Sequence, residues 1–270
     1  MTSPNQLRKV LALVAVATLL LASLALAFTK GRSRFGKRAP AATITPSKQM
    51  PHVVLWAWER PVDLRFINPR ETGIAFLART IHLRANEVVV RPRLQPLDLP
   101  EGTSVIAVAR VESDPRTKPD LSAQQTEELA VAIAEMARLP NVSSIQIDFD
   151  ATRSERTFYH DVILAVRTRL PASVALSITA LASWCSDDDW ISNLPIDEAV
   201  PMLFRMGPDG RQIRNRVASG EEFRARPCRN SYGISTDEPL RNLSATKRLY
   251  VFNPDAWTEN SVRAITDSRK

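Results

Sequence analysis

From residue 51 onward, short apolar runs alternate with longer amphipathic or polar stretches. Eight runs have the length and composition of strands: "HVVLWAW" near 52–58, "GIAFLA" near 73–78, "SVIAVARV" near 104–111 and "VSSIQIDF" near 142–149, then "VALSITAL" near 174–181, "EAVPMLF" near 198–204, "NSYGIS" near 230–235 and "RLYVF" near 248–252. Between the third and fourth, "QQTEELAVAIAEMARL" sets Leu129, Ile133 and Met136 at i, i+4, i+7 behind Ser122 as a cap, which predicts a helix. A second helix is predicted in "ERTFYHDVILAVRTRL", with Phe158, Ile163, Val166 and Leu170 near one stripe, and a last one in "DAWTENSVRAITDSR". Strands and helices in alternation predict an α/β fold: a single-domain (β/α)8 TIM-type barrel over residues 51–270. The stretch "RTIHLRANEVVVRPRLQPLDLPEG" reads as a β-hairpin insertion after strand two, turning at Ala85-Asn86. An open doubly wound sheet fits less well, because no glycine-rich phosphate loop is present and the whole chain holds 8 glycines.

Ahead of this pattern stands an uncharged apolar run, Val10 to Ala27, in a segment with no acidic residue through Arg38. Residues 1–38 are expected to be a signal peptide or an N-terminal membrane anchor with a basic flank, and 39–50 a Pro/Ala/Thr/Ser linker. Ala25-Leu26-Ala27 has the small-x-small form of a cleavage site, while the basic flank favours staying in the cytoplasm, so cleavage and orientation are open. Export to the periplasm or anchoring in the inner membrane is the expected location, with the membrane a partner through this segment. The formal charge of +7 changes meaning here, since seven Lys and Arg lie in residues 1–38 and the remaining body is formally neutral. No nucleic-acid partner is expected of a neutral body. Cys185 and Cys228 are either one disulfide of an exported protein or two separate buried thiols.

Chemistry enters at "SSIQIDFDATR", residues 143–153. In a strand, Gln146, Asp148 and Asp150 share one face and Ile145, Ile147 and Phe149 the other. Working groups of a barrel gather at the C-terminal strand ends, where Asp148 and Asp150 lie. The same ends supply Trp58 and Glu59, Arg110 and Glu112, Thr179, Trp184, Phe204 and Arg205, Ser235 and Asp237, and Asn253 and Trp257. The candidate catalytic pair is Asp150 and Asp148. The candidate substrate contacts are Trp58, Glu59, Arg110, Glu112, Gln146, Thr179, Trp184, Arg205, Asn253 and Trp257. Flat aromatic faces suit sugar rings, so a glycan ligand is expected. The competing account has Arg110 and Arg205 bridging Asp148 and Asp150 as a buried network. Carboxylates open to a wet cleft would favour a ligand site; carboxylates sealed by both arginines would favour the network.

Other groups point to less. "SDDDW" at 186–190 is read as Ser186 or Asp187 capping a helix with an acidic first turn rather than as a metal cluster. "TRSER" is read as a helix start capped by Ser154. His52, His82 and His160 lack ligand spacing, and neither a metal nor a cofactor is expected.

The runs "QIDFDATRSER", "ALSITALASWCSDDDW" and "DEAVPMLFRMG" closely resemble a bacterial family described as domain of unknown function 3142, over residues 51 to about 257. More distantly, "IQIDFD" followed by "PMLF" resembles the barrel of glycoside hydrolase family 18, with its strand-four motif D-x-x-D-x-D-x-E. That likeness implies a glycan-active barrel with Asp150 at the position of the catalytic acid and Asp148 at the carboxylate that orients the substrate. Ser143 and Gln146 stand where the motif has acids, Asp150 is a methylene shorter than glutamate, and Arg205 stands near the usual tyrosine. The alternative is an envelope module that binds saccharides or a protein without turnover.

Overall fold

The computed structural model describes residues 50–188, 190–240 and 242–269. The expected leader at 1–38 and all of the expected linker except Met50 lie outside the described residues. Among the described residues, no helix is long and apolar enough to cross a membrane.

The strands are β1 (Val53–Ala57), β2 (Val62–Asp63), β3 (Thr72–Arg84), β4 (Glu87–Pro92), β5 (Leu97–Asp98), β6 (Val105–Ser113), β7 (Val142–Asp148), β8 (Ala175–Leu181), β9 (Glu198–Met202), β10 (Ser231–Ser235) and β11 (Arg248–Phe252). Eight of them run parallel in the order β1-β11-β10-β9-β8-β7-β6-β3, and β1 also pairs with β3, which closes a TIM-type barrel. These eight coincide with the eight apolar runs. A parallel strand covered on both faces needs continuous apolar sequence, and all five residues of β1 are buried.

Side-chain parity divides the core. Ile145, Ile147 and Phe149 join the layer between sheet and helices, whereas Val54, Trp56, Ile106, Val108, Val200 and Tyr250 belong to a separate cluster inside the barrel. Gly233 makes room for that filling: a Cβ there would lie 3.2 Å from the Trp56 ring and 3.2 Å from the Pro201 carbonyl. Below, at the N-terminal end, Arg248 and the Tyr250 hydroxyl donate to the buried Glu198 carboxylate at 3.1 and 2.7 Å. The polar base belongs to the scaffold, and the opposite end is left for the site.

Helices do not follow every strand. The described α-helices are α1 (Ala123–Ala134), α2 (Arg156–Arg169), α3 (Gly210–Ala218) and α4 (Glu259–Asp267), after β6, β7, β9 and β11. The strands β1 and β10 lead instead into irregular connections, at 58–71 apart from the short β2 and over the described residues 236–240 and 242–247, and both stretches carry proline. In α1 the expected cap is present: Ser122 Oγ accepts from Gln125 N at 3.2 Å while the Gln125 side chain accepts from Ser122 N. The same Gln125 donates to the carbonyls of Ala85 and Glu87, tying the helix to the turn between β3 and β4.

The segment expected to be an insertion after strand two takes a different form. The second barrel strand is 13 residues long, and its outer half pairs antiparallel with β4 across Ala85-Asn86, where Ala85 has φ 43°. Because β6 pairs with β3 out to Leu83↔Ser113, this side of the barrel rises as a tall wall above the mouth.

Three local expectations are corrected. Ser186 caps no helix: its hydroxyl donates to the Ala182 carbonyl within a wide helical turn, Trp184–Asp188. Asp187 is likewise not a cap; it pairs with Arg216, and Asp188 pairs with Arg156. The cap after β7 is Thr152 rather than Ser154, because Glu155 reaches back to Thr152 N at 2.7 Å and completes a capping box. The cysteines resolve as one disulfide, Cys185–Cys228, with Cα atoms 5.9 Å apart, fastening the turn after β8 to the turn before β10.

Candidate functional site

The C-terminal strand ends open into a cavity of about 670 Å³. Its floor is Trp56, whose position is set from below by Gln146: the indole Nε1 donates to Gln146 Oε1 at 2.9 Å, and the Gln146 amide donates to Ser177 at 3.4 Å. One wall is aromatic. Phe204 and Phe252 stack 5.8 Å apart and nearly parallel, and Trp58 meets Phe252 edge-on at 6.4 Å. The loop carrying Trp58 is held by Arg93, which donates to the carbonyls of Trp58 and Arg60, and by Trp257, whose indole donates to the Trp56 carbonyl at 3.0 Å.

The opposite wall is charged. Asp148, at the end of β7, is almost fully buried, accepting from Thr179 Oγ1 at 2.6 Å on one oxygen and from Arg110 Nη1 at 2.8 Å on the other. These contacts follow from register, since β7 lies between β6 and β8 and Arg110 is the direct partner of Asp148. A buried carboxylate of this kind is tolerated because both oxygens are occupied and a guanidinium faces it. Asp150 differs. It lies just past the strand in the cavity lining, 3.7 Å from Arg110 Nη2, with its side chain 45% exposed. Partial burial, and then the neighbouring Asp148 charge, push its carboxyl above 3.8, with Arg110 opposing. Arg110 also meets Glu112 at 3.3 Å. Burial works against the Arg110 charge, but Asp148, Asp150 and Glu112 together outweigh it and hold the guanidinium more basic than usual.

The predicted site residues separate into three groups. Trp58, Glu59, Arg110, Glu112, Asp148, Asp150, Thr179 and Arg205 line the cavity. Asn253 and Trp257 line a smaller one of about 170 Å³ that shares Trp56 and Trp58 with it. Gln146 and Trp184 reach neither. Gln146 is fully buried beneath Trp56, and Trp184 lies outside the barrel, 5.1 Å from Trp190, because the chain leaves the cavity lining after Ser183 and enters the wide turn Trp184–Asp188. The expected double clamp on the aspartates is not formed. Arg205 has φ 50°, its guanidinium lies 5.3 Å over Phe252 and 4.0 Å from Asp237, and among the described residues Arg110 alone pairs with the two aspartates. The carboxylates are therefore not sealed by two arginines.

Sequence reading passed over Trp56, Phe252 and Met202 as lining residues. Each was within reach of parity: Trp56 stands two before Trp58, and Phe252 two after the inward-facing Tyr250.

Residues 101–203 match the family model described as domain of unknown function (DUF3142), the family whose resemblance the strand motifs carry. That span runs from the approach to β6 through β9 and includes Arg110, Asp148, Asp150 and Thr179. No curated protein and no solved structure matches the chain.

Proposed function

We propose that the mouth of this barrel is a saccharide cleft and that the protein acts on glycans in the manner of a glycoside hydrolase, with Asp150 as general acid. The observation that carries this reading is the contrast between two carboxylates two residues apart. Asp148 is shut from water and spent on Thr179 and Arg110, while Asp150 opens into the cavity with its carboxyl pushed toward the protonated form. Unlike environments for paired carboxyl groups divide acid from anion. Asp150 would give its proton to the glycosidic oxygen as the bond to the sugar carbon breaks, the Asp148 carboxylate would face the positive charge that develops there, and water would add to that carbon as its proton returns to Asp150. Trp58, Phe204 and Phe252 offer flat faces for the sugar rings. The distant likeness to glycoside hydrolase family 18 agrees in assigning Asp150 the acid role, and it stays a resemblance.

An envelope location is part of the same proposal. The buried Cys185–Cys228 disulfide supports an oxidising compartment, which suits an exported or inner-membrane-anchored protein.

One observation favours a second reading, a binding module without turnover. Arg110 engages Asp148, Asp150 and Glu112 at once, a network that would brace the walls whether or not a bond is cleaved. Both readings share the cleft, and its location is tested by saccharide binding. Trp58→Ala should weaken retention of a bound oligosaccharide about tenfold, while Leu94→Ala, an exposed position outside the cavity, should not change it. Equal losses in the two variants would remove the cleft from consideration.

A further inference from the structure

The reading of the cavity as a saccharide cleft leaves the charge of the sugar open, and the lining speaks to it. Five carboxylates line the cavity, those of Glu59, Glu112, Asp148, Asp150 and Asp209, against the guanidinium groups of Arg110 and Arg205. With Asp150 protonated as the acid, four carboxylates face two guanidinium groups and two negative charges are in excess. The positive side is also already committed: Arg110 divides itself among three of the acids, and Arg205 lies over Phe252 beside Asp237, which does not line the cavity.

Glu59 and Asp209 are left over. Both are exposed, and neither has an ion pair or a side-chain hydrogen bond among the described residues. Asp209 stands at the N-cap of α3, a position where an aspartate ordinarily bonds the helix amides, and its side chain makes no such bond. Beyond residue 38 the chain is formally neutral, so the excess belongs to this cavity rather than to the protein at large. A concave site of one sign concentrates ions of the other. Aromatic faces add to the effect, because a cation held over an indole is attracted by the ring itself, and Trp58 lies in the same lining as Glu59.

We infer that the cleft takes a cationic saccharide: an oligomer of hexosamine whose amino groups are free, with an ammonium drawn to Glu59 or Asp209 and the Trp58 face. This rests on the saccharide reading above. An N-acetylated sugar brings no charge to meet the spare carboxylates, and a uronate chain brings the wrong sign. The chemistry is self-consistent in pH, since mildly acidic water keeps a sugar amine protonated while favouring the protonated carboxyl that Asp150 needs.

The test compares the affinity of the full-length chain for four oligomers of matched length: β-1,4-linked glucosamine, its N-acetylated form, β-1,4-linked glucose and a uronate. At low salt the free-amine oligomer should bind about tenfold tighter than the glucose oligomer, and about 0.5 M salt should remove most of that advantage. Glu59→Gln and Asp209→Asn should each narrow the amine-to-glucose ratio about threefold. Equal or tighter binding of the N-acetylated or glucose oligomer would overturn the charge inference and leave the saccharide cleft standing. A ratio untouched by both substitutions would overturn it as well. Failure of all four to bind would overturn the cleft and this inference together.

Discussion

The two aspartates of the mouth should respond in opposite ways to the same substitution. In Asp148→Asn the shape is kept but the charge between Thr179 and Arg110 is lost, and the amide nitrogen takes the place of one oxygen, so one of the two donors loses its acceptor. Removing one partner of a buried ion pair costs about 3–5 kcal/mol. Arg110 here is 30% accessible and retains Asp150 and Glu112, so the cost should fall to about 2–3 kcal/mol. Asp150→Asn removes a charge that burial and Asp148 both disfavour. With nearly half the side chain in water, the effect should stay within about 0.5 kcal/mol of wild type or be stabilising. The sign also fixes a pH dependence. The carboxyl of Asp150 titrates above 3.8 in the folded state, so its ionised form costs stability at neutral pH, and that cost disappears as pH falls through this window. Urea unfolding of full-length wild type and both variants, at pH 7 and in acid, reads all of this from the midpoints. Equal losses for the two variants would refute the division between a structural and a free carboxylate. So would a wild type that loses stability relative to Asp150→Asn on acidification.

Other expectations follow from single contacts. Gln146→Leu leaves the buried Trp56 Nε1 without its acceptor and should cost about 1–3 kcal/mol in the same unfolding assay; no loss would mean that the floor is not held from below. Replacing both Cys185 and Cys228 by alanine frees a loop of sequence separation 43 and should cost up to about 4 kcal/mol, with a shift under about 1 kcal/mol contradicting a constraining disulfide. Turnover, measured as reducing ends released against pH, should fall as pH rises through the titration of Asp150, which lies above 3.8; a rate that rises through that window would exclude Asp150 as the acid.

The strands were legible because parallel strands buried on both faces need continuous apolar runs, and each run that predicts a strand forms one. Closure was not legible in the same way, since the pairing of β1 with β3 depends on accumulated twist and stagger that no single run encodes. Within the site, parity was the useful signal and depth was its blind spot. Parity turned Gln146 and Asp148 to the same side of β7, but only the three-dimensional layering shows that Trp56 covers Gln146 and leaves Asp148 at the cavity. Parity also ends with the strand. Trp184, three residues past Leu181, follows a wide helical turn into an aromatic cluster with Trp190 and Tyr159. Arg205 escaped for a related reason, because its left-handed backbone sends the side chain over Phe252 and away from the aspartates it was expected to bridge.

The central claim, an acid at Asp150 working in a saccharide cleft, is tested most directly by mass spectrometry of oligosaccharides incubated with wild type and with Asp150→Asn. The panel holds chitin-type, peptidoglycan-type and exopolysaccharide oligomers, including de-N-acetylated forms. The account predicts cleavage of at least one oligomer by wild type, reduced on the order of 100-fold or more in the variant. Cleavage that survives the substitution unchanged, or no cleavage of any oligomer by wild type, would contradict it.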